Sequence, residues 1–174
     1  GGAPPELRSG MFRNERVDME RHVLYPGSFD PVTLGHLDIL ERALGLFDRV
    51  TVVVAADGKA GLLDVEERVR LFRESVEGLK GVEVHPFSGL LVDEVRNRSA
   101  QGVIRGIRSA GDYEHEWRLA GTNALLSGDV TYVYLLADPA LAAVSSTLVR
   151  DVIKHGGPLS KLVPAPVARA LGGS

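Results

Sequence analysis

Apolar residues follow two alternating patterns along this chain: short β-branched runs, then longer segments with apolar positions three and four apart. His22 to Pro26 predicts a short strand. Gly35 to Phe47 follows at helical spacing, through Leu37, Leu40, Leu44 and Phe47. Arg49 to Ala55 is rich in Val and reads as a buried strand. Asp64 to Leu79 carries Val65, Val69, Phe72, Val76 and Leu79 on one helical stripe, with Asp64 and Glu67 at the spacing of an N-terminal capping box. The pattern then repeats: strand Val82 to Phe87, helix Leu90 to Ala100, strand Val103 to Ile107, helix Asp112 to Leu126, strand Val130 to Ala137. Ser146 to His155 is a helix stopped by Gly156 and Gly157, and Val163 to Leu171 is a last helical stretch. Strands alternating with helices predict an α/β domain, a parallel sheet with helices on both faces. In such sheets ligands bind just beyond the carboxyl ends of the strands, so the residues after each strand are where chemistry is expected.

Composition narrows this picture. The 174 residues fit one domain, spanning 22–171. Residues 1–21 mix four acids and four arginines with few large apolar side chains and read as a flexible extension, within which Met11 and Met19 are candidate starts. Residues 172–174 read as a flexible tail. The absence of cysteine excludes disulfides, thiolate zinc sites and a cysteine nucleophile. A net charge of −3 argues against a general nucleic-acid binder. The longest apolar run, Val50 to Ala56, is far short of the roughly 20 residues of a membrane span, and no leader-like segment is seen, so a cytoplasmic protein is expected. Glycine is over-represented, with 20 residues. Five of these lie in the tails, while Gly27, Gly35 and Gly106 fall at strand-to-helix junctions and are expected to face a ligand.

The segment after the first strand, Tyr25-Pro-Gly-Ser-Phe-Asp-Pro-Val-Thr-Leu-Gly-His36, holds the first candidate site. Gly27 permits a tight turn, Ser28 offers a hydroxyl, and His36 falls in the first turn of the next helix. There free N–H groups and a partial positive charge attract phosphate. A protonated or hydrogen-bonding imidazole at that place could stabilise charge on a phosphoryl group. The stretch Val144-Ser-Ser-Thr-Leu-Val-Arg150 opens a later helix with hydroxyls and free N–H groups, a second phosphate cradle or simply a helix cap.

Thr33-Leu-Gly-His36 matches the T/H-x-G-H motif of the nucleotidylyltransferase superfamily. The wider stretch from Tyr25, together with Arg105-Gly-Ile-Arg108 and Val144 to Arg150, resembles the bacterial phosphopantetheine adenylyltransferases over about His22 to Leu171. The resemblance implies a single-domain, Rossmann-like, doubly wound sheet of five parallel strands. It implies transfer of AMP from ATP to 4′-phosphopantetheine, giving dephospho-coenzyme A and pyrophosphate. It also implies roles: His36 stabilises the α-phosphate in the transition state, Lys59 and Arg105 hold the acceptor phosphate, and Ser28 bridges acceptor and nucleotide. Leu91 lines the pantetheine arm. Phe29, Gly106, Ile107, Arg108 and Glu116 bind ATP, as does the run Leu141, Ala142, Ala143, Val144, Ser145, Ser146 and Thr147. The loop Asp57-Gly-Lys-Ala-Gly departs from the family's Pro-Ser-Lys pattern and is one residue shorter. Mg²⁺ is expected to arrive with ATP, because no dense carboxylate cage is evident. The family's hexameric assembly and its feedback by coenzyme A are further implications.

Two other readings stand beside this one. A different nucleotidylyltransferase, acting on nicotinamide mononucleotide or using CTP, would share the Thr33-x-Gly-His36 motif. A non-catalytic nucleotide or coenzyme A sensor would share the fold, but need not retain His36, Lys59 and Arg105 together. No G-x-S-x-G elbow or P-loop lysine motif is present, and the histidines lack metal-ligand spacing.

Overall fold

A computed structural model describes residues 19–58, 61–127 and 130–172. Five strands, β1 (His22–Gly27), β2 (Arg49–Ala55), β3 (Val82–Phe87), β4 (Gly102–Ile107) and β5 (Thr131–Leu136), alternate with helices. The helices are α1 (Leu34–Leu44), α2 (Val65–Ser75), α3 (Leu91–Asn97), α4 (Ala110–Ser127), α5 (Ser146–Lys154) and α6 (Ala165–Ala170). The sheet is wholly parallel, in the order β3-β2-β1-β4-β5. This is the five-stranded doubly wound sheet the sequence predicts.

The central strands are buried on both sides, which explains their continuous apolar runs. Val23, Tyr25, Val50, Val52, Val54 and Ile104 point to one face, where they meet Ile39, Leu40, Val69, Phe72, Val149 and Val167 from α1, α2, α5 and α6. Leu24, Val53 and Val103 point to the other face and meet Val95 of α3. Helix ends differ from the periodicity for local reasons. The spacing of α1 runs on to Phe47, but the helix stops at Leu44, with Gly45 as C-cap, and Phe47 packs on the core from the following turn. Likewise α2 ends at Ser75, because Gly78 takes a left-handed φ of +89°. Of the capping-box pair before α2, Asp64 accepts from the Glu67 N–H at 2.8 Å, while the Glu67 carboxylate binds Arg70. Contacts with the domain reach back before His22. Arg21 donates to Asp48, and Glu20 accepts from Arg49.

The feature that makes room for a site is the junction of β1 with β4. β1 pairs with β2 along its whole length but with β4 only at Val23–Gly102 and Leu24–Val103. Beyond that the ladder stops. Pro26 has no N–H to offer β4, and its carbonyl instead accepts from Arg105 Nη1 at 2.7 Å. The carboxyl ends of β1 and β4 therefore splay at the point where strand order reverses, which is where an open α/β sheet binds its ligand.

Candidate active site

The splayed ends open into a cleft of about 350 Å³. Its floor is the β1–α1 connection. Thr33 is the N-cap of α1, and its hydroxyl accepts from the His36 N–H at 3.3 Å. The His36 ring completes the box in the other direction, its Nδ1 accepting the Thr33 backbone N–H at 3.0 Å. A backbone N–H can only donate, so Nδ1 carries no proton and the neutral ring holds its hydrogen on Nε2. Burial, reinforced by the charges of Arg108 and Arg105, pushes the imidazole down to about 4. Of the two states the sequence allowed, the protein thus holds the neutral one, a hydrogen-bond donor through Nε2.

Beneath His36 lies Phe29, buried and left-handed at φ +48°. Its ring meets Tyr25, His36 and Phe72 edge-on, with centroids 5.2, 5.0 and 4.8 Å away. That packing holds an unfavourable backbone conformation in place. It also explains Gly27, because a Cβ there would stand 2.8 Å from the Phe29 ring. A Cβ on Gly106 would meet Ile39 at 3.0 Å. Gly27 and Gly106 line the cleft, and their missing side chains also make way for packed residues of the protein. Gly35 lies against the carbonyls of Val144 and Leu141, where α1 abuts the segment leading to α5.

The walls carry charge that is already paired. Arg105 forms a two-bonded ion pair with the buried Glu116, its Nε 2.7 Å from Oε2 and its Nη2 on Oε1. With the Pro26 carbonyl this occupies three of the five guanidinium donors and leaves one N–H on each terminal nitrogen. Arg108 is likewise held by Asp112, with its backbone N–H and Nε both 3.0 Å from Oδ2. On the opposite wall Ser145 caps α5 by accepting from the Leu148 N–H at 3.1 Å. Ser146 donates to the Pro31 carbonyl at 2.8 Å, joining positions 115 apart. Both hydroxyls are engaged by the protein itself, and the start of α5, whose free first-turn N–H groups suit an anion, lines the cleft.

Most of the predicted residues converge. Ser28, Phe29, His36, Arg105, Gly106, Arg108 and Glu116 line the cleft from one side. Leu141, Val144, Ser145, Ser146 and Thr147 line it from the other. Ile107 is buried at the end of β4, and Ala142 and Ala143 lie in the chain between the lining residues Leu141 and Val144 without lining the cleft themselves. Leu91 opens α3, packs on the second core face and is not among the residues lining this cleft. Lys59 lies outside the described residues. Among the lining residues to which the sequence reading gave no role are Asp112, His115 and Arg150. Asp112 stands four residues after Arg108, the spacing of a helical ion pair, and that signal could have found it. Arg150 donates to the Asp30 carbonyl at 2.7 Å and to the Thr147 hydroxyl at 3.2 Å.

A parallel sheet with a helix-capping histidine and two anion-ready helix starts at its switch point defines a nucleotide-binding domain of the nucleotidylyltransferase type. Comparisons with known proteins agree. A structure from Vibrio parahaemolyticus assigned as a nicotinate-nucleotide adenylyltransferase superposes with a TM-score of 0.67 at 18% identity, covering 88% of this chain and 92% of that one, and so shares the fold. The cytidylyltransferase-like family profile matches residues 24–152. A phosphopantetheine adenylyltransferase of Campylobacter curvus is 44% identical over 156 residues, covering 89% of this chain and all of the relative. One from Haemophilus influenzae is 46% identical over 150 residues, 86% of this chain and 96% of the relative. The chain belongs to the cytidylyltransferase-like family and, within it, to the phosphopantetheine adenylyltransferases.

Proposed function

We infer that this protein transfers AMP from ATP to 4′-phosphopantetheine, forming dephospho-coenzyme A and pyrophosphate. One observation carries the reading: the two motif segments meet in a single cleft, where the His36 Nε2–H and the first turn of α5 are presented together. Near full-length identity to phosphopantetheine adenylyltransferases supports this acceptor over nicotinamide mononucleotide.

The reaction needs no enzyme nucleophile. An oxygen of the acceptor phosphate attacks the α-phosphorus, a new P–O bond forms in line, and the bond to the β-phosphate breaks with its electrons leaving on pyrophosphate. Catalysis then rests on positioning two polyanions and on stabilising the charge that builds at the α-phosphate. His36 supplies a neutral, directed N–H donor for that charge. Arg105, held by Glu116 and the Pro26 carbonyl, offers its two remaining N–H groups to the acceptor phosphate, with Lys59 as its partner and Ser28 between acceptor and nucleotide. Arg108 and the N-terminal turn of α5 take the nucleotide, Glu116 lies near its adenosine, and Leu91 lies along the pantetheine arm.

Mg²⁺ belongs to this proposal as a companion of ATP. Asp112 and Glu116 are both engaged by arginines, so the residues present suit a cation carried on the nucleotide phosphates, whose charge it neutralises. No described helix is long and apolar enough to cross a membrane, and a cytoplasmic enzyme acting on small molecules is the proposed setting. Coenzyme A, which shares the product's groups, is proposed as a feedback ligand of the same cleft. A homohexamer is proposed as the assembly, and the exposed Trp117 and Leu125 on α4 support contact between copies. The deciding experiment mixes protein, Mg²⁺, ATP and phosphopantetheine and measures pyrophosphate. Release is expected. Release only with nicotinamide mononucleotide would assign the rival reaction, and none with either would leave a binding protein.

A further inference from the structure

We propose that Arg68, which lies outside the cleft, is a positioning residue that sets the geometry of Ser28 and of the β1–α1 connection. β1 and β2 pair through Gly27–Val54, and there the ladder ends. The next carbonyls, Ser28 on one strand and Ala55 on the other, are both taken by one guanidinium nitrogen. Arg68 Nη1 donates to the Ser28 oxygen at 2.7 Å and to the Ala55 oxygen at 3.0 Å. Its Nε reaches the Asp64 carbonyl at 3.3 Å, so the same side chain is fixed to the first turn of its own helix. The half-buried Arg68 therefore ties three elements where the sheet opens into the site.

What this holds is a strained turn. Phe29, at φ +48°, stands between two arginine-bound carbonyls, Ser28 on Arg68 and Asp30 on Arg150. Such a conformation persists only where its surroundings over-determine it. Arg150 lines the cleft and can meet a ligand directly, whereas Arg68 acts only through the backbone it holds. The far side of the β2–α2 connection is pinned separately, by the Asp30 carboxylate accepting from the Leu62 and Leu63 N–H groups at 2.8 and 2.9 Å. Without Arg68 the Ser28 and Ala55 carbonyls lose a charge-assisted donor, the turn around Phe29 relaxes, and Ser28 leaves its place between the substrates. That functional consequence rests on the reaction proposed above.

The test uses Arg68→Met, which keeps the apolar stem, and Arg68→Lys, whose ammonium can still reach two carbonyls. Steady-state kinetics, ATP affinity by calorimetry, and amide hydrogen exchange over residues 27–31 are measured on both. Arg68→Met is expected to lower kcat and raise KM for phosphopantetheine, for a combined loss of roughly ten- to a hundredfold, the scale of a small misplacement. ATP affinity should hold within about twofold, and exchange at 27–31 should rise; Arg68→Lys should recover most of both. Wild-type kinetics in Arg68→Met, or equal losses in acceptor use and ATP affinity, would overturn the proposal. If the Met variant fails to fold, the Lys variant decides: unchanged kinetics and exchange support the bridge between carbonyls, and a loss of ATP affinity as large as that of acceptor use refutes it. If the wild-type enzyme makes no pyrophosphate, the reaction fails on its own terms. Exchange at 27–31 then still reads the positioning, and no change in Arg68→Met refutes it.

Discussion

At the scale of single residues, His36 does two jobs with two nitrogens. Nδ1 closes the capping box of α1, and the arrangement leaves the Nε2–H for the role proposed for it at the α-phosphate. His36→Ala should lower kcat by about a hundredfold or more, the usual cost of losing one directed oxyanion donor, with ATP affinity affected far less. Steady-state rates set beside ATP titrations check this, and undiminished turnover would remove His36 from the chemistry. Two histidines, the buried His22 and the partly buried His36, also make stability depend on pH. His22, 1% exposed and 2.8 Å from the Thr51 hydroxyl through Nε2, is held below its ordinary value of 6.5 by burial and then by the charge of Arg49. His36 is lowered to about 4. Between the ordinary value and the folded one, the unfolded chain binds more protons, so stability is full above pH 6.5 and falls as the pH drops toward 4. Urea unfolding should therefore show a lower midpoint near pH 5 than near pH 7. His22→Gln, which does not titrate, should lose less over that interval; an identical loss would assign the effect elsewhere.

At the scale of elements, the connections matter more than the strands and helices they join. The β1–α1 turn is held from three sides: by Arg68 of α2, by Arg150 and Ser146 of α5, and by Arg105 of β4 at the preceding Pro26. Its own Asp30 in turn holds the segment after β2. A Cβ on Gly61 would stand 2.1 Å from Asp30 Oδ2, a contact that cannot be accommodated without breaking the clamp. Gly61→Ala is expected to destabilise the fold by about 1–3 kcal/mol, as overpacking does, and to weaken acceptor use more than ATP use. Chemical denaturation and KM values for each substrate measure the two effects separately. The elements themselves were plain in the sequence. The Val-rich run of β2 and the strand pattern of β3 predict Arg49–Ala55 and Val82–Phe87 residue for residue. Helix ends were less legible, because apolar spacing continues into turns whose side chains still pack on the core, as Phe47 does after α1.

At the scale of the whole molecule, the mild negative charge says little about the site. Arg105, Arg108 and Arg150 share the cleft with Glu116 and Asp112, and each acidic partner fixes a guanidinium in the orientation that the proposed reaction would use for phosphate. Helix α4, which supplies both carboxylates, also exposes large apolar side chains among polar ones, with Trp117 66% and Leu125 90% exposed in a single copy beside the Glu114–Arg118 ion pair. If copies pack through α4, Trp117→Glu combined with Leu125→Glu should shift the assembly to a smaller species in light scattering while leaving the monomer folded. An unchanged mass would place the contact on another surface.

The sequence by itself determined the order of elements, the sheet's parallel character, and the two segments at which phosphate would be met. Those follow from periodicity and from short motifs, in which neighbours along the chain remain neighbours in space. Only the tertiary structure decided what each side chain is free to do. The tautomer of His36, the pairing of Arg105 with Glu116, the use of Ser146 on Pro31, and the packing reasons for Gly27 and Gly106 all depend on contacts between distant positions. So does the opening of the cleft, where a proline ends one ladder and an arginine from the neighbouring strand takes the carbonyl left behind.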